Sequence, residues 1–157
     1  AALIRERAGR FAASPADVAE GAKVFVKHCA ACHQIGTVGN RVGPQLDGVG
    51  VRGLERLLED TLDPNRNIDQ AFRARALTLA DGTTKTALQL RTEGQVIVFA
   101  DNEGKEFRLA AKEIETNREV NLSPMPANFA DTIPEAEFRH LIGYLLSQRV
   151  AEVPKKD

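Results

Sequence analysis

The sequence predicts a mainly α-helical fold with a small antiparallel β-sheet inserted at about residues 72–109. Three observations predict it. Apolar residues recur at helical spacing in two early segments and one late one. Between them the period shortens to alternation, broken by short turn sequences. A Gly-rich stretch directly after a pair of cysteines then demands a loop rather than an element.

The first helix is expected to begin at Ser14, with Ser14 as N-cap, Pro15 at the first helical position and Asp17 at the positive end. Val18, Ala22, Phe25 and Cys29 then share a face and lead the chain into CAACH. Residues 34–52, which contain VGPQLDGVGVR, read as a loop lying close against something flat. A second helix follows, with Leu54, Leu57, Leu58 and Leu62 on one face, and Pro64 ends it.

Residues 72–79, 85–91, 95–100 and 105–109 read as four strands. Asp81-Gly82, Glu93-Gly94 and residues 102–104 supply the turns. Val96, Val98 and Ala100 point one way, Ile97 and Phe99 the other, so that strand is expected to be covered on both faces. The segment KEIETNREVNL reads as a polar connection to SPMPANF. A last helix is expected from about 134 to 148, with Phe138, Leu141, Ile142 and Leu145 inward, followed by a loose tail, AEVPKKD.

The length of 157 residues suits one domain, 1–157, with the strands as an insertion. Hydrophobic residues at 43%, charged residues at 27% and a net charge of −1 fit a globular domain and set aside a nucleic-acid or other polyanionic partner. No stretch has the apolar length of a membrane span. The opening AALIRERAGRF carries Arg5, Arg7 and Arg10 with no apolar core behind them, so it does not read as a signal peptide.

Cys29, Cys32 and His33 form C-x-x-C-H, the attachment signature of a c-type haem. The spacing has a chemical reason: two thiols reach two vinyl groups on one porphyrin edge, and the next residue places an imidazole under the iron. A redox dithiol uses the same two cysteines but expects a βαβ context, which is missing here. A zinc site would need four ligands, and Cys29, Cys32, His33 and His140 are an awkward set because Cys32 and His33 are adjacent. A disulfide across two intervening residues is disfavoured by geometry.

The sixth iron ligand is expected to be Met125, the one methionine, held between Pro124 and Pro126 in a stretch that cannot become helix. The alternative for Met125 is a core filler. His28 and His140 are the other candidate ligands, and each also reads as a partly exposed surface histidine. Haem of this type is attached outside the cytoplasm, which places the protein in the periplasm or another extracytoplasmic space. An export signal is then expected, either already removed or belonging to a longer chain from which this one was cut; the second is favoured.

CAACH, GPQL, SPMP and the last-helix segment FRHLIGYLL together resemble class I c-type cytochromes. That resemblance implies a cytochrome c fold wrapped around one covalent haem c and an electron carrier rather than an enzyme. It implies that the Pro44 carbonyl accepts the N–H of His33, that Leu46 packs on the ring, and that the first and last helices cross where Gly21 and Phe25 meet Tyr144. It covers residues 14–52 and 122–149 and leaves 72–109 uncovered. The compact members place the methionine a few tens of residues after the motif, whereas here the positions are 33 and 125. The longer layout, with DPN after the second helix, the Asp81-Gly82 turn and the Met loop, is similar to the haem-binding domain appended to large predicted dehydrogenases of planctomycetes and verrucomicrobia. It implies a redox partner protein or a fused dehydrogenase domain, of β-propeller type.

Arg41 and Arg52 flank the Gly-rich loop and are candidates to pair with haem propionates, with a solvated surface charge as the alternative. The competing function is a haem sensor or ligand-binding protein with a displaceable sixth position. The strand insertion is open to three roles: docking a partner, shielding the haem, or joining two halves. Its Lys85, Arg91, Lys105 and Arg108 read as a solvated face.

Overall fold

The structure, a computed structural model, describes residues 1–149; the expected loose tail lies outside the described residues. Among the described residues, five helices surround one core: α1 (Ala2–Ala13), α2 (Val18–His28), α3 (Leu54–Leu62), α4 (Phe129–Thr132) and α5 (Glu135–Ser147). A two-stranded ribbon, β1 (Gln34–Ile35) with β2 (Val38–Gly39), follows the cysteine motif directly. The larger sheet comprises β3 (Arg75–Leu79), β4 (Thr84–Glu93), β5 (Val96–Ala100), β6 (Glu106–Ala110) and β7 (Ile114–Glu119).

The helical core forms where the sequence periodicity puts it. Val24 and Phe25 of α2, Leu57, Leu58 and Leu62 of α3, and Phe138, Leu141, Ile142 and Leu145 of α5 are all buried together. α2 and α5 cross closely. A Cβ at Gly21 would collide with the His140 carbonyl oxygen and lie 2.7 Å from Tyr144 Cβ. The Phe25 and Tyr144 rings meet at 5.7 Å, so the three expected contact residues share the crossing.

The start of α2 corrects the sequence expectation. The N-cap is Asp17, whose Oδ1 accepts from Glu20 N at 3.0 Å, and not Ser14, which ends α1 in an extended conformation. The Asp17 N–H in turn donates to His140 Nδ1 at 2.9 Å, so α5 fixes where α2 begins. Helix α1 itself was not expected. Three arginines hid a sparse apolar stripe: Ile4, Ala8 and Phe11 pack on the helical core, and the Arg7 guanidinium lies 5.2 Å from the centre of the Phe138 ring.

The large sheet is antiparallel throughout, in the order β6-β5-β4-β3-β7. The four expected strands form a meander. A fifth, β7, returns to pair with β3, and the sheet therefore runs to Glu119 and not to about 109. Polar side chains at Thr116, Asn117 and Arg118 hid this edge strand, because only Ile114 at its start offers an apolar face. With about 40% helix and 23% strand, the fold has more sheet than a mainly α class implies. Val98, Phe99 and Ala100 are all fully buried, so β5 is covered on both faces as expected. Phe99 stacks on Phe107 at 5.5 Å within a second small core that includes Leu77, Leu79 and Ala87.

The sheet joins the helical part at the chain connections on its β3–β7 side. Ala74 N donates to Leu122 O at 2.9 Å, and Val120 N donates to Ala74 O at 3.0 Å. This edge continues straight into the loop that carries Met125.

Candidate functional site

Helix α2 ends at the cysteine motif, and the backbone stays tightly coiled through it. Cys29 N and Ala30 N both donate to Phe25 O, and Cys32 N and His33 N both donate to Cys29 O. This turn aims both cysteines and His33 from one short loop. Neither cysteine is in a disulfide, and both are half-buried. Burial pushes the Cys29 thiol up to about 12, with Cys32 adding to the shift. Burial also raises Cys32, and the Asp101 carboxylate adds to it.

The Gly-rich segment wraps the motif. Val42 N and Gly43 N donate to Cys32 O, and Asn40 N bridges Ala30 O and His33 O. A Cβ at Gly43 would lie 3.0 Å from Cε1 of His33, so a side chain there would press on the ring. Pro44 then fixes the imidazole. His33 Nδ1 is 2.7 Å from the Pro44 carbonyl oxygen. A carbonyl only accepts, so Nδ1 carries the proton and Nε2 keeps its lone pair. Burial lowers the His33 pKa, opposed by the bond to Pro44, and this favours the neutral ring that a metal requires.

Met125 is half-buried and packs against the helical core, as do Cys29 and Leu46. Its N–H donates to Ser123 Oγ at 3.1 Å, and Ser123 N donates to Asn65 Oδ1 at 2.8 Å. Asn65 belongs to the DPN that ends α3, so the loop after that helix holds the methionine loop. In the sequence DPN reads as a helix stop and as part of the resemblance, and neither reading reveals this role.

The other candidates are placed differently. Arg41 Nε donates to Gln34 Oε1, and Arg52 Nε pairs with Asp60 Oδ2 at 2.8 Å. Arg52 also lines a cleft of about 560 Å³ with Arg56, Arg66 and Arg73. His28 is partly exposed, as expected, but its ring lies edge-on to Phe129 and its Nε2 is buried without a hydrogen-bond partner among the described residues. His140 spends Nδ1 on Asp17. Among the described residues no group of three or more His, Cys, Asp or Glu side chains is placed to hold a metal ion, which leaves the zinc alternative without a ligand set.

Two thiols free for thioether bonds, an imidazole with only Nε2 available and apolar side chains at Leu46 and Met125 fit a covalently bound haem. A helical shell built on that motif defines a haem-carrying electron-transfer protein. The sequence profile of the family described as cytochrome c matches residues 18–96, half of the chain, and the chain belongs to that family. The family binds haem c covalently, with iron, and its domains carry electrons and are not enzymes. Its members are typically extracytoplasmic, and among the described residues no helix is long and apolar enough to cross a membrane. Met125 and α5 lie beyond the matched residues. No curated protein matches the chain.

Proposed function

We propose that this chain is a single cytochrome c domain that moves electrons through one haem with His33 and Met125 as axial ligands. Cys29 and Cys32 carry the thioether bonds. The observation that carries the reading is the His33 Nδ1 to Pro44 carbonyl bond, because it leaves one nitrogen, on one side of one ring, for the iron. When bound, the haem supplies the Fe(III)/Fe(II) couple.

The chain's own residues do the rest. Pro44 orients the imidazole and makes it a stronger donor. Leu46 gives the ring an apolar neighbour. Pro124 and Pro126 stiffen the methionine loop, and Ser123 and Asn65 anchor it. A ligand held by fixed backbone on both sides needs little rearrangement when the iron changes charge. Arg52 is the candidate partner for a haem propionate, which would have to share it with Asp60, its present partner.

The same reading places the protein in the periplasm, serving a dehydrogenase as partner or as a fused domain. The DPN turn, the Asp81-Gly82 turn and the methionine loop beyond an inserted sheet support it.

The test is the optical spectrum of the purified protein, oxidised and reduced, with and without carbon monoxide, beside Met125→Ala. A low-spin spectrum with the weak methionine–Fe(III) charge-transfer band, indifferent to carbon monoxide and losing that band in the variant, is expected. Ready carbon monoxide binding by the wild type, or an unchanged variant, would overturn methionine ligation.

A further inference from the structure

The inserted sheet reaches the cysteine motif at its far side. β5 and β6 are joined by a turn at residues 101–105, and this turn rests on the motif loop. A Cβ at Gly104 would lie 2.6 Å from Ala31 O and 2.9 Å from Cys32 Sγ. Real Cβ atoms do not approach that closely, so only a glycine allows the contact, and its φ of +78° is a second reason for glycine. The turn is built to hold this pose. Asp101 Oδ1 accepts from Glu103 N and Lys105 N, both at 2.9 Å, Gly104 N donates to Asp101 O, and Asp101 N donates to Lys105 O.

The sheet is therefore tied down at both edges. Its β3–β7 side runs into the Met125 loop through Ala74, Val120 and Leu122. Its β5–β6 side sits on Cys32. Both contact points lie level with the middle of β4, where Arg75 pairs with Ala87 and Leu88 pairs with Ala100, with Glu119 opposite Arg75 and Glu106 opposite Ala100. The sheet thus links the methionine loop to the attachment loop.

We propose that the turn at residues 101–105 is a fixed cap on the Cys32 edge of the haem, and that Gly104 is the positioning residue that seats it. This rests on the haem reading above: Cys32 Sγ is the atom bonded to the porphyrin edge, so whatever touches it covers that edge. A covered edge excludes water and small redox reagents there. A protein partner that uses this side must then meet the turn itself.

The experiment uses the haem-loaded protein and compares Gly104→Ala with Gly82→Ala. Both glycines have a positive φ, but a Cβ at Gly82 has nothing within 4 Å among the described residues, so it controls for turn strain alone. Mass spectrometry first reports covalent haem; a wild type without it overturns the haem reading and the cap together. With haem attached, amide resonances of residues 103–105 are expected to shift between oxidised and reduced protein, and the Gly82 amide is not. Gly104→Ala is expected to lose much of that shift and to speed reduction by a small neutral outer-sphere reagent, while Gly82→Ala matches the wild type. Turn amides blind to the oxidation state in the wild type, or a Gly104→Ala protein with wild-type shifts and rate, would overturn the cap. If Gly104→Ala does not mature, Asp101→Ala, which loosens the turn without adding a Cβ, is expected to show the same pair of changes.

Discussion

His33 Nδ1 and the Pro44 carbonyl oxygen are 2.7 Å apart although the residues are eleven positions apart in the chain. The loop between them is pinned at its far end, next to Pro44, by Val42 N and Gly43 N on Cys32 O. The bond therefore belongs to a closed unit, in which the attachment motif holds the loop and the loop holds the imidazole. A donor bond from Nδ1 raises the electron density of the ring and favours the more positive iron.

Pro44→Ala keeps a carbonyl but frees the backbone angle that proline fixes. The hydrogen bond is expected to lengthen and the reduction potential to rise. A bond with a net worth of about 1 kcal/mol sets a ceiling of about 40 mV on the change. A spectroelectrochemical titration reads it. An unchanged potential would mean that the contacts to Cys32 O hold the loop without help from Pro44.

Gly21→Ala tests the helix crossing, and two effects compete there. Alanine favours helix over glycine by about 1 kcal/mol. Against that, the new Cβ meets the His140 carbonyl oxygen and Tyr144 Cβ, and the first of these is backbone that cannot step aside. Overpacking of this kind costs about 1–3 kcal/mol or more, so the clash wins. For a net loss of about 1–2 kcal/mol, the melting temperature of the haem-loaded protein is expected to fall by about 2–8 °C. A stabilised variant would show that α2 and α5 slide apart freely.

Much of this was legible in the sequence because it rests on local pattern. CAACH, the leucine face of α3, the meander turns and the α5 stripe each need only a few neighbouring residues to be read. What stayed hidden depends on distant partners. Asp17 wins over Ser14 as the N-cap because His140, on the last helix, accepts the Asp17 N–H. β7 looks like a polar linker because it is an edge strand paired with β3 alone. Gly104 looks like one more turn glycine until the fold brings Cys32 against it. Asn65 looks like a helix stop until Ser123 arrives.

Arg91 on β4 pairs with Glu93 and, through two nitrogens, with Glu106 on β6. It holds both carboxyls below the ordinary glutamate range. A depressed folded-state pKa gives stability that is present above the unfolded value and lost as pH falls through the folded one. In Arg91→Leu, both carboxyls are therefore expected to titrate at higher pH, and the acid sensitivity of the sheet to shrink. Carboxyl NMR titrations of the two proteins read this directly. Identical titrations would show that solvent screens these exposed pairs completely.

The chain from Asn65 through Ser123 to Met125 carries the last prediction. Asn65 Oδ1 accepts from Ser123 N, and Ser123 Oγ accepts from Met125 N, so two side chains hold the methionine backbone to the end of α3. Asn65→Ala removes the outer acceptor and leaves Ser123 N unpaired in a half-buried loop. Losing a bond of about 1 kcal/mol is expected to make Met125 roughly fivefold easier to displace by an added ligand such as imidazole. Asn65→Asp retains an acceptor oxygen at the same place and is expected to restore wild-type affinity. Optical titration with imidazole measures all three proteins. If Asn65→Ala binds imidazole like the wild type while retaining the methionine band, the prolines hold the loop unaided. Failure of Asn65→Asp to rescue would show that the side chain acts through its amide nitrogen and not through the oxygen that faces Ser123.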